Sequence, residues 1–160
     1  MSGEWRVSIC GLYCARCDIY NASHGDEKLR AEIRDWFRET RGKEYELEQI
    51  RCDGCRCPPE RNWSGDCQMQ RCASEKGHRY CFECANFPCG HVEKFASDGL
   101  EHHKKTVENL KEMRRLGLDE WIRRQPEPSF CPSVVSTSLG YLRAWTCSRP
   151  TRTPCSPAAA

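Results

Sequence analysis

The sequence predicts a small α-rich domain with irregular segments, little β-structure and a metal-dependent fold, followed by a disordered C-terminal tail. Fourteen of the 160 residues are cysteines, and most of them stand in short clusters. The mean hydropathy is −0.79, so the apolar side chains can build only a thin core, and a small domain of this kind needs disulfides or metals as staples. Helical spacing of apolar residues recurs outside the cysteine clusters.

The first element is predicted to be extended and then helical. Trp5, Val7 and Ile9 alternate in sequence, which is typical of a short strand or extended lead-in. If the chain then becomes helical, Cys10, Cys14 and Cys17 fall at positions i, i+4 and i+7 on one face.

Residues 26–41 are predicted to form an amphipathic helix. Leu29, Ile33, Trp36 and Phe37 lie on one stripe, which we interpret as core rather than as a ligand surface. Asp26 is the expected N-cap, and the following Gly42 is the expected stop.

Regular structure is expected to be sparse from Ile50 to Cys89, because turn-forming residues surround the cysteines there. Pro88 then suits the first turn of a new helix that ends near Gly99. A further helix is predicted for residues 100–113, with Gly117 as its breaker. A last short helical turn is predicted from Leu118 to Arg124.

Ten cysteines are the candidate metal ligands, because thiols two to four residues apart can reach one ion from a single turn. They are Cys10, Cys14, Cys17, Cys52, Cys55, Cys67, Cys72, Cys81, Cys84 and Cys89. Spacing alone leaves the pairing open. Cys52 and Cys55 can join Cys81 and Cys84, or Cys67 and Cys72, and Cys89 is then a candidate fourth ligand for the first cluster.

Two residue types beside these clusters are interpreted as non-ligands. Cys57 stands immediately before two prolines and is expected to be a spare thiol. The histidines are interpreted as surface residues, with His91 the best placed of them to donate a nitrogen.

Zinc is the predicted metal, because it routinely occupies four-cysteine sites assembled from scattered pairs. The alternative is a [4Fe–4S] cluster on Cys10, Cys14, Cys17 and one downstream cysteine, in a protein of electron transfer or redox sensing. The spacing of that triplet also matches radical S-adenosylmethionine enzymes, but the chain lacks their length and their alternation of strands and helices. Neither of the common ferredoxin spacings is present.

The expected compartment is the cytoplasm. No charged segment followed by an apolar run opens the sequence, and no stretch approaches the roughly 18 apolar residues of a membrane span. Cysteine pairs in a reducing compartment indicate metal ligands or redox groups rather than disulfides.

A non-catalytic binding module is favoured over an enzyme. The sequence has no phosphate-binding glycine loop, no G-x-S-x-G and no H-E-x-x-H motif. A reactive free thiol such as Cys57 remains the enzymatic alternative. The partner is unknown; a protein is the expected class, bound through the face around Trp63 or the helices between Leu100 and Trp121. The net charge of +2 argues against nucleic acid.

Several motifs together resemble an uncharacterised cysteine-rich family of bacteria and archaea. They are Ile9 to Cys17 (ICGLYCARC), Cys52 to Cys55 (CDGC), Arg71 to Gly77 (RCASEKG), Cys81 to Cys89 (CFECANFPC), and Asn109 to Lys111 with Gly117 to Trp121. The resemblance covers roughly residues 8–125. It implies zinc binding through these cysteines and implies no activity.

The chain departs from that family near its end. Members continue with a ribbon that opens on a C-P-x-C-G knuckle, whereas Val134 stands where the second cysteine of that knuckle is expected after Cys131. No acidic residue follows Glu127. We therefore predict a cysteine-rich metal-binding domain at 1–126 and a low-complexity tail at 127–160, disordered or frame-shifted, whose cysteines carry no ligand role.

Overall fold

The structure, a computed structural model, describes residues 6–100 and 102–125. Six α-helices follow one another: α1 (Asp18–Ser23), α2 (Glu27–Arg41), α3 (Gln68–Glu75), α4 (Gly90–Ala96), α5 (Thr106–Leu116) and α6 (Leu118–Arg124). Short 3₁₀ turns lie between them. Those residues contain no β-strand, only an isolated antiparallel bridge between Val7 and Tyr13. The predicted α-rich fold is confirmed, whereas the predicted tail lies outside the described residues.

Helices α1 and α2 pack on each other around the first of three apolar clusters. Ile19, Leu29, Ile33 and Ile50 form its buried centre. The cap predicted for α2 is confirmed, since Asp26 Oδ1 accepts a hydrogen bond of 2.8 Å from the backbone N–H of Leu29. Gly42 ends α2 in the left-handed conformation, as predicted.

The second cluster joins the N-terminal segment to α5 and α6. Val7, Tyr13, Tyr80, Met113 and Trp121 are its large buried members. Trp121 packs edge-on against Tyr13, with the ring centroids 5.7 Å apart. Its indole N–H donates to the Glu112 carboxylate at 3.2 Å. The helical turn predicted at 118–124 is therefore confirmed as α6, and it closes the core.

The third cluster lies where α3, α4 and α5 meet. Its buried members are Cys10, Met69, Phe87, Val92 and Leu110. Several more cysteines pack against these side chains, so the thiol-bearing segments lie directly on this part of the core.

Four of the predicted elements differ from the structure. Cys10, Cys14 and Cys17 do not lie on one continuous helix, because residues 9–11 form turns, a 3₁₀ turn covers Cys14–Arg16, and α1 begins only at Asp18. Helix α3 was expected to be irregular. Its buried Met69 and Ala73 face the core four residues apart, as helical packing requires.

The other two differences concern helix boundaries. Pro88 precedes α4, with Cys89 at the N-cap position, and does not form its first turn. The helix predicted at 100–113 begins at Thr106, after a 3₁₀ turn at His103–Lys105. None of the helices in the described part of the chain is both long and apolar enough to cross a membrane.

Candidate metal centre

Eleven cysteines between Cys10 and Cys89 are free thiols in the structure. Cys10 is buried and the others are half-buried. Eight of them fall into two sets of four, Cys10 and Cys67 lie between the sets, and Cys57 belongs to neither. Each set draws its members from separate segments of the chain.

The first set consists of Cys14, Cys17, Cys52 and Cys55. Burial raises the pKa of Cys14, and negative charge on Cys17, Cys55, Cys10 or Cys52 raises it further. Negative charge on Cys52 in turn raises the pKa of Cys17, in addition to the increase that burial causes. This mutual effect shows that the N-terminal pair and the Cys52 loop bring their thiols close together.

Two hydrogen bonds hold the Cys52 loop against the N-terminal segment. The Cys52 N–H donates to Ser23 Oγ at 2.7 Å, and the Ile9 N–H donates to Cys55 Sγ at 3.1 Å. The Arg56 guanidinium then donates to the carbonyl oxygens of Val7 at 3.0 Å and Arg79 at 3.1 Å. The first set is thus fixed from both sides by backbone contacts.

Arginine side chains stabilise the Cys52 loop from within. Arg51 and Arg61 both donate to the Asp53 carboxylate. The hydrogen bond from Arg51 is the main cause that holds the pKa of Asp53 below its ordinary value. The Asp53 carbonyl also accepts from Cys57 Sγ at 3.2 Å, so the Cys57 thiol points back to its own loop.

Burial determines the protonation of these thiols. It raises the pKa of Cys17 to about 12 and raises the pKa values of Cys14 and Cys55 above their ordinary value. The positive charge of Arg56 partly offsets the effect at Cys55. At neutral pH and without a cation, these groups are therefore neutral thiols and poor nucleophiles.

The second set lines a pocket of about 270 Å³. Cys72 lies on α3, Cys81 begins the 3₁₀ turn Cys81–Glu83 and Cys84 follows it, and Cys89 is the N-cap residue of α4. The buried floor consists of Met69, Ala73 and Val92. Lys76, His78, Asn86 and His91 complete the lining.

A cation stands at the rim of this pocket. The Lys76 Nζ lies 3.9 Å from Cys84 Sγ. Negative charge on Cys72, and next on Cys84, raises the pKa of Lys76, so its ammonium group is positively charged at neutral pH. The pocket therefore combines four thiols with one positive charge that opposes the charge of their thiolates.

Cys10 and Cys67 lie between the two sets. Cys10 Sγ is 3.1 Å from Ser8 Oγ, and burial raises the pKa of Cys10 to about 12. Charge on Cys55 or Cys67 increases it further. Burial likewise raises the pKa of Cys81 to about 12, and charge on Cys10 contributes to that increase. Cys10 is thus close to members of both sets.

The thiols of each set are neighbours that have not converged on a single point. Within residues 6–100 and 102–125, no group of three or more histidine, cysteine, aspartate or glutamate side chains is arranged so that it could hold a metal ion. The ten predicted ligands therefore stay a prediction. Their grouping differs from both pairings that the spacing suggested, because Cys52 and Cys55 lie beside Cys14 and Cys17. Cys89, a candidate for the first cluster, lies instead with Cys72, Cys81 and Cys84.

Some of the residues that line the pocket had no predicted role, among them Lys76 and Asn86, and His78 was interpreted as a surface residue. The signal for Lys76 was the spacing Cys72-x3-Lys76, which places both side chains on one face of a helix once α3 is recognised.

The fold and the two thiol sets define a small helical domain rich in cysteine. The chain belongs to the family described as Protein of unknown function (DUF3795), whose model matches residues 6–94. The motifs at residues 109–121 lie outside that match. No curated protein and no solved structure matches the chain.

Proposed function

We propose that this protein is a zinc-binding domain with a non-catalytic binding role in the cytoplasm. The observation that carries the proposal is the grouping of eight free thiols into two sets of four. Four thiolates are the donor set of a closed structural zinc site. The first set takes its thiols from two segments far apart in sequence, and a staple that closes a long loop contributes most to folding. The second set joins α3, the 3₁₀ turn at Cys81–Glu83 and the start of α4.

Cys14, Cys17, Cys52 and Cys55 are the proposed ligands of the first site. A zinc ion there would tie the start of α1 to the loop after Ile50. The donors are soft sulfur atoms, which suit zinc rather than magnesium or calcium. Coordination would require rotations about χ1, which move sulfur atoms between staggered positions while the backbone stays in place.

Cys72, Cys81, Cys84 and Cys89 are the proposed ligands of the second site. A zinc ion there would join α3, the 3₁₀ turn at Cys81–Glu83 and α4 around the third apolar cluster. Four thiolates and one divalent ion carry a net charge of about −2. The ammonium group of Lys76 stands where it offsets part of that charge.

The buried thiols support a structural role over a nucleophilic one. Their raised pKa values keep them protonated until a cation displaces the protons. A partner protein is the proposed target, and the half-buried rings of Phe37, Tyr45 and Trp63 form the proposed contact face. Their centroids lie 5.1–5.4 Å apart.

Metal analysis of the full-length chain, purified without oxygen, tests the proposal. We expect about two zinc ions per chain and no visible absorption. Replacement of zinc by cobalt should produce the intense absorption of thiolate-bound Co²⁺ in a tetrahedral site. The Cys52→Ser and Cys84→Ser variants should each lose about one ion.

Cys57→Ser is the matched control, because Cys57 belongs to neither set and should leave the zinc content unchanged. A chain that folds without any bound metal would contradict the proposal. Iron with acid-labile sulfide and a brown colour would contradict zinc binding and support the iron–sulfur alternative. A partner that binds equally well to Trp63→Ala would exclude the aromatic face.

A further inference from the structure

The eight thiols are all half-buried, but the two sets have different surroundings. The first set lies among backbone contacts: Cys55 accepts from the Ile9 N–H, and both Cys17 and Cys52 pack against the first apolar cluster. The second set lines an open pocket whose rim residues Lys76, Asn86 and His91 are exposed. A dissolved molecule can therefore approach the second set directly.

The pocket also contains more donors than a tetrahedral ion uses. His78 and His91 line it together with the four cysteines, which gives six soft or borderline donors for four coordination positions. A histidine nitrogen can take the place of a departing thiolate, because zinc accepts both ligand types and can expand to five-coordination. Surplus donors thus provide intermediate positions for an ion that enters or leaves.

We propose that the pocket is an exchangeable metal site, which takes up and releases Zn²⁺ in equilibrium with dissolved chelating ligands, while the first set retains its ion. The inference rests on the proposed zinc-binding function and assigns different roles to the two sites. Exchange at zinc requires an incoming donor to reach the ion before the last protein ligand leaves. The pocket opening provides that path.

Lys76 regulates the exchange. Cysteines bound to zinc are already deprotonated, so the nearby ammonium group cannot increase the number of thiolates. It instead stabilises the negative charge on Cys84, 3.9 Å away, and thereby slows the transfer of that thiolate from metal to proton. Because Lys76 is exposed, its contribution is that of a surface charge interaction.

Zinc release from the loaded full-length chain to the coloured chelator 4-(2-pyridylazo)resorcinol tests the inference. We expect two phases of equal amplitude, with the pocket ion in the fast phase. Cys84→Ser should remove the fast phase and Cys52→Ser the slow one. If either variant fails to fold, Lys76→Gln locates the fast ion instead, because it changes only an exposed side chain. Acceleration of the fast phase by this substitution places that ion in the pocket.

Lys76→Gln should accelerate the fast phase by roughly two- to fivefold and leave the slow phase unchanged. Lys43→Gln, which removes an exposed charge elsewhere, is the matched control and should change neither phase. A single release rate for both ions, or acceleration of the slow phase by Lys76→Gln, would overturn the inference and leave zinc binding intact. A chain that contains no zinc would instead contradict the proposed function.

Discussion

Gly11 shows at the scale of one residue why the first cysteine cluster can lie against the core. Its φ of +88° is in the region that side chains other than glycine rarely adopt. A Cβ at this position would lie 2.8 Å from Leu110 Cγ and 3.1 Å from the Thr106 carbonyl oxygen. The Gly11 carbonyl accepts a hydrogen bond of 2.9 Å from Asn109 Nδ2. The backbone between Cys10 and Cys14 therefore touches α5 directly.

Replacement of Gly11 by alanine should destabilise the fold by about 2–5 kcal/mol, the sum of the backbone strain and the clash with α5. Gly99→Ala is the matched control, since Gly99 has a similar φ of +93° and no atom within 4 Å of its added Cβ. Urea-induced unfolding of both variants separates the two contributions. Equal decreases in the free energy of unfolding would show that the contact between the added Cβ of Gly11→Ala and α5 has no cost.

The thiol pKa values predict how zinc binding depends on pH. Cys14, Cys17 and Cys55 have raised pKa values, so they still carry their protons at pH 7. Binding must displace these protons, and the zinc affinity should therefore increase steadily from pH 6 to pH 8. Calorimetry in buffers of different ionisation enthalpy should detect the release of about three protons from these thiols when an ion binds at the first site.

The raised thiol pKa values have the opposite effect on the stability of the metal-free chain, which they make decrease as the pH rises. A thiol with a folded-state pKa of about 12, as at Cys10, Cys17 and Cys81, favours the folded state below its ordinary pKa of 9.0. That contribution decreases as the pH rises from about 9 toward 12, because the unfolded chain loses its protons first.

The calorimetry of zinc binding can contradict the predicted protonation of the thiols. Release of fewer than about two protons per ion at pH 7 would do so.

Cysteines occupy the N-cap positions of three helices. Cys17, Cys67 and Cys89 are the N-cap residues of α1, α3 and α4, each with an extended backbone and without a hydrogen bond from its side chain to the helix. Helix α2 begins instead at an aspartate cap. A metal-bound thiolate at an N-cap would hold the helix start through coordination rather than through capping, and a negative charge is favourable at that end.

Helices α5 and α6 form a pair that closes the core from its C-terminal side. Gly117 separates them, with a φ of +81°. Leu110 and Met113 are fully buried, and Trp121 is 1% exposed. The α5–α6 pair therefore supplies large side chains to both the second and the third cluster.

Trp121→Ala should destabilise the zinc-loaded chain by about 3–5 kcal/mol, because it leaves a cavity beside Tyr13 and an unpaired Glu112 carboxylate. Unfolding in urea at constant zinc concentration measures the loss. The control is Trp36→Ala, whose side chain is half-buried and should cost less. A loss as small as that of Trp36→Ala would contradict the central position of α6 in the core.

At the scale of the whole molecule, the folding unit extends beyond the family match. That match ends at residue 94, inside α4. The buried side chains of Leu110, Met113 and Trp121 all come after it. The chain therefore needs α5 and α6 to cover the clusters on which the cysteine segments rest.

Fragments of the chain test this dependence. A fragment of residues 1–125 should unfold cooperatively with the stability of the full chain. A fragment of residues 1–99 should show no cooperative transition even with zinc, because two of the three clusters lose their buried α5 and α6 members. Circular dichroism during urea titration distinguishes these outcomes, and a stable 1–99 fragment would place the domain boundary earlier than residue 126.

The helices differ in how many of their start, stop and packing signals lie within their own sequence. Helix α2 was predicted closely because its apolar stripe, Asp26 cap and Gly42 stop are all local. Helix α3 was missed because its N-cap is Cys67, outside the Ser, Thr, Asp and Asn set that marks helix starts. Its cysteines were interpreted only as ligands, which concealed the helical spacing of Met69 and Ala73.

At the candidate site, the sequence and the tertiary structure likewise determine different things. Sequence by itself determined the donor chemistry, because thiols two to four residues apart share one turn wherever that turn lies. Only the tertiary structure decided that Cys14 and Cys17 lie with Cys52 and Cys55, and that Cys89 lies with Cys72, Cys81 and Cys84. The first grouping joins segments separated by 35 or more residues of chain, counted from Cys17 to Cys52. The hydrogen bonds of the Cys52 loop to Ser23 and Ile9 make that grouping, and the buried contacts among α3, α4 and α5 make the second. Spacing within a cluster encodes neither of them, because both depend on which segments pack together.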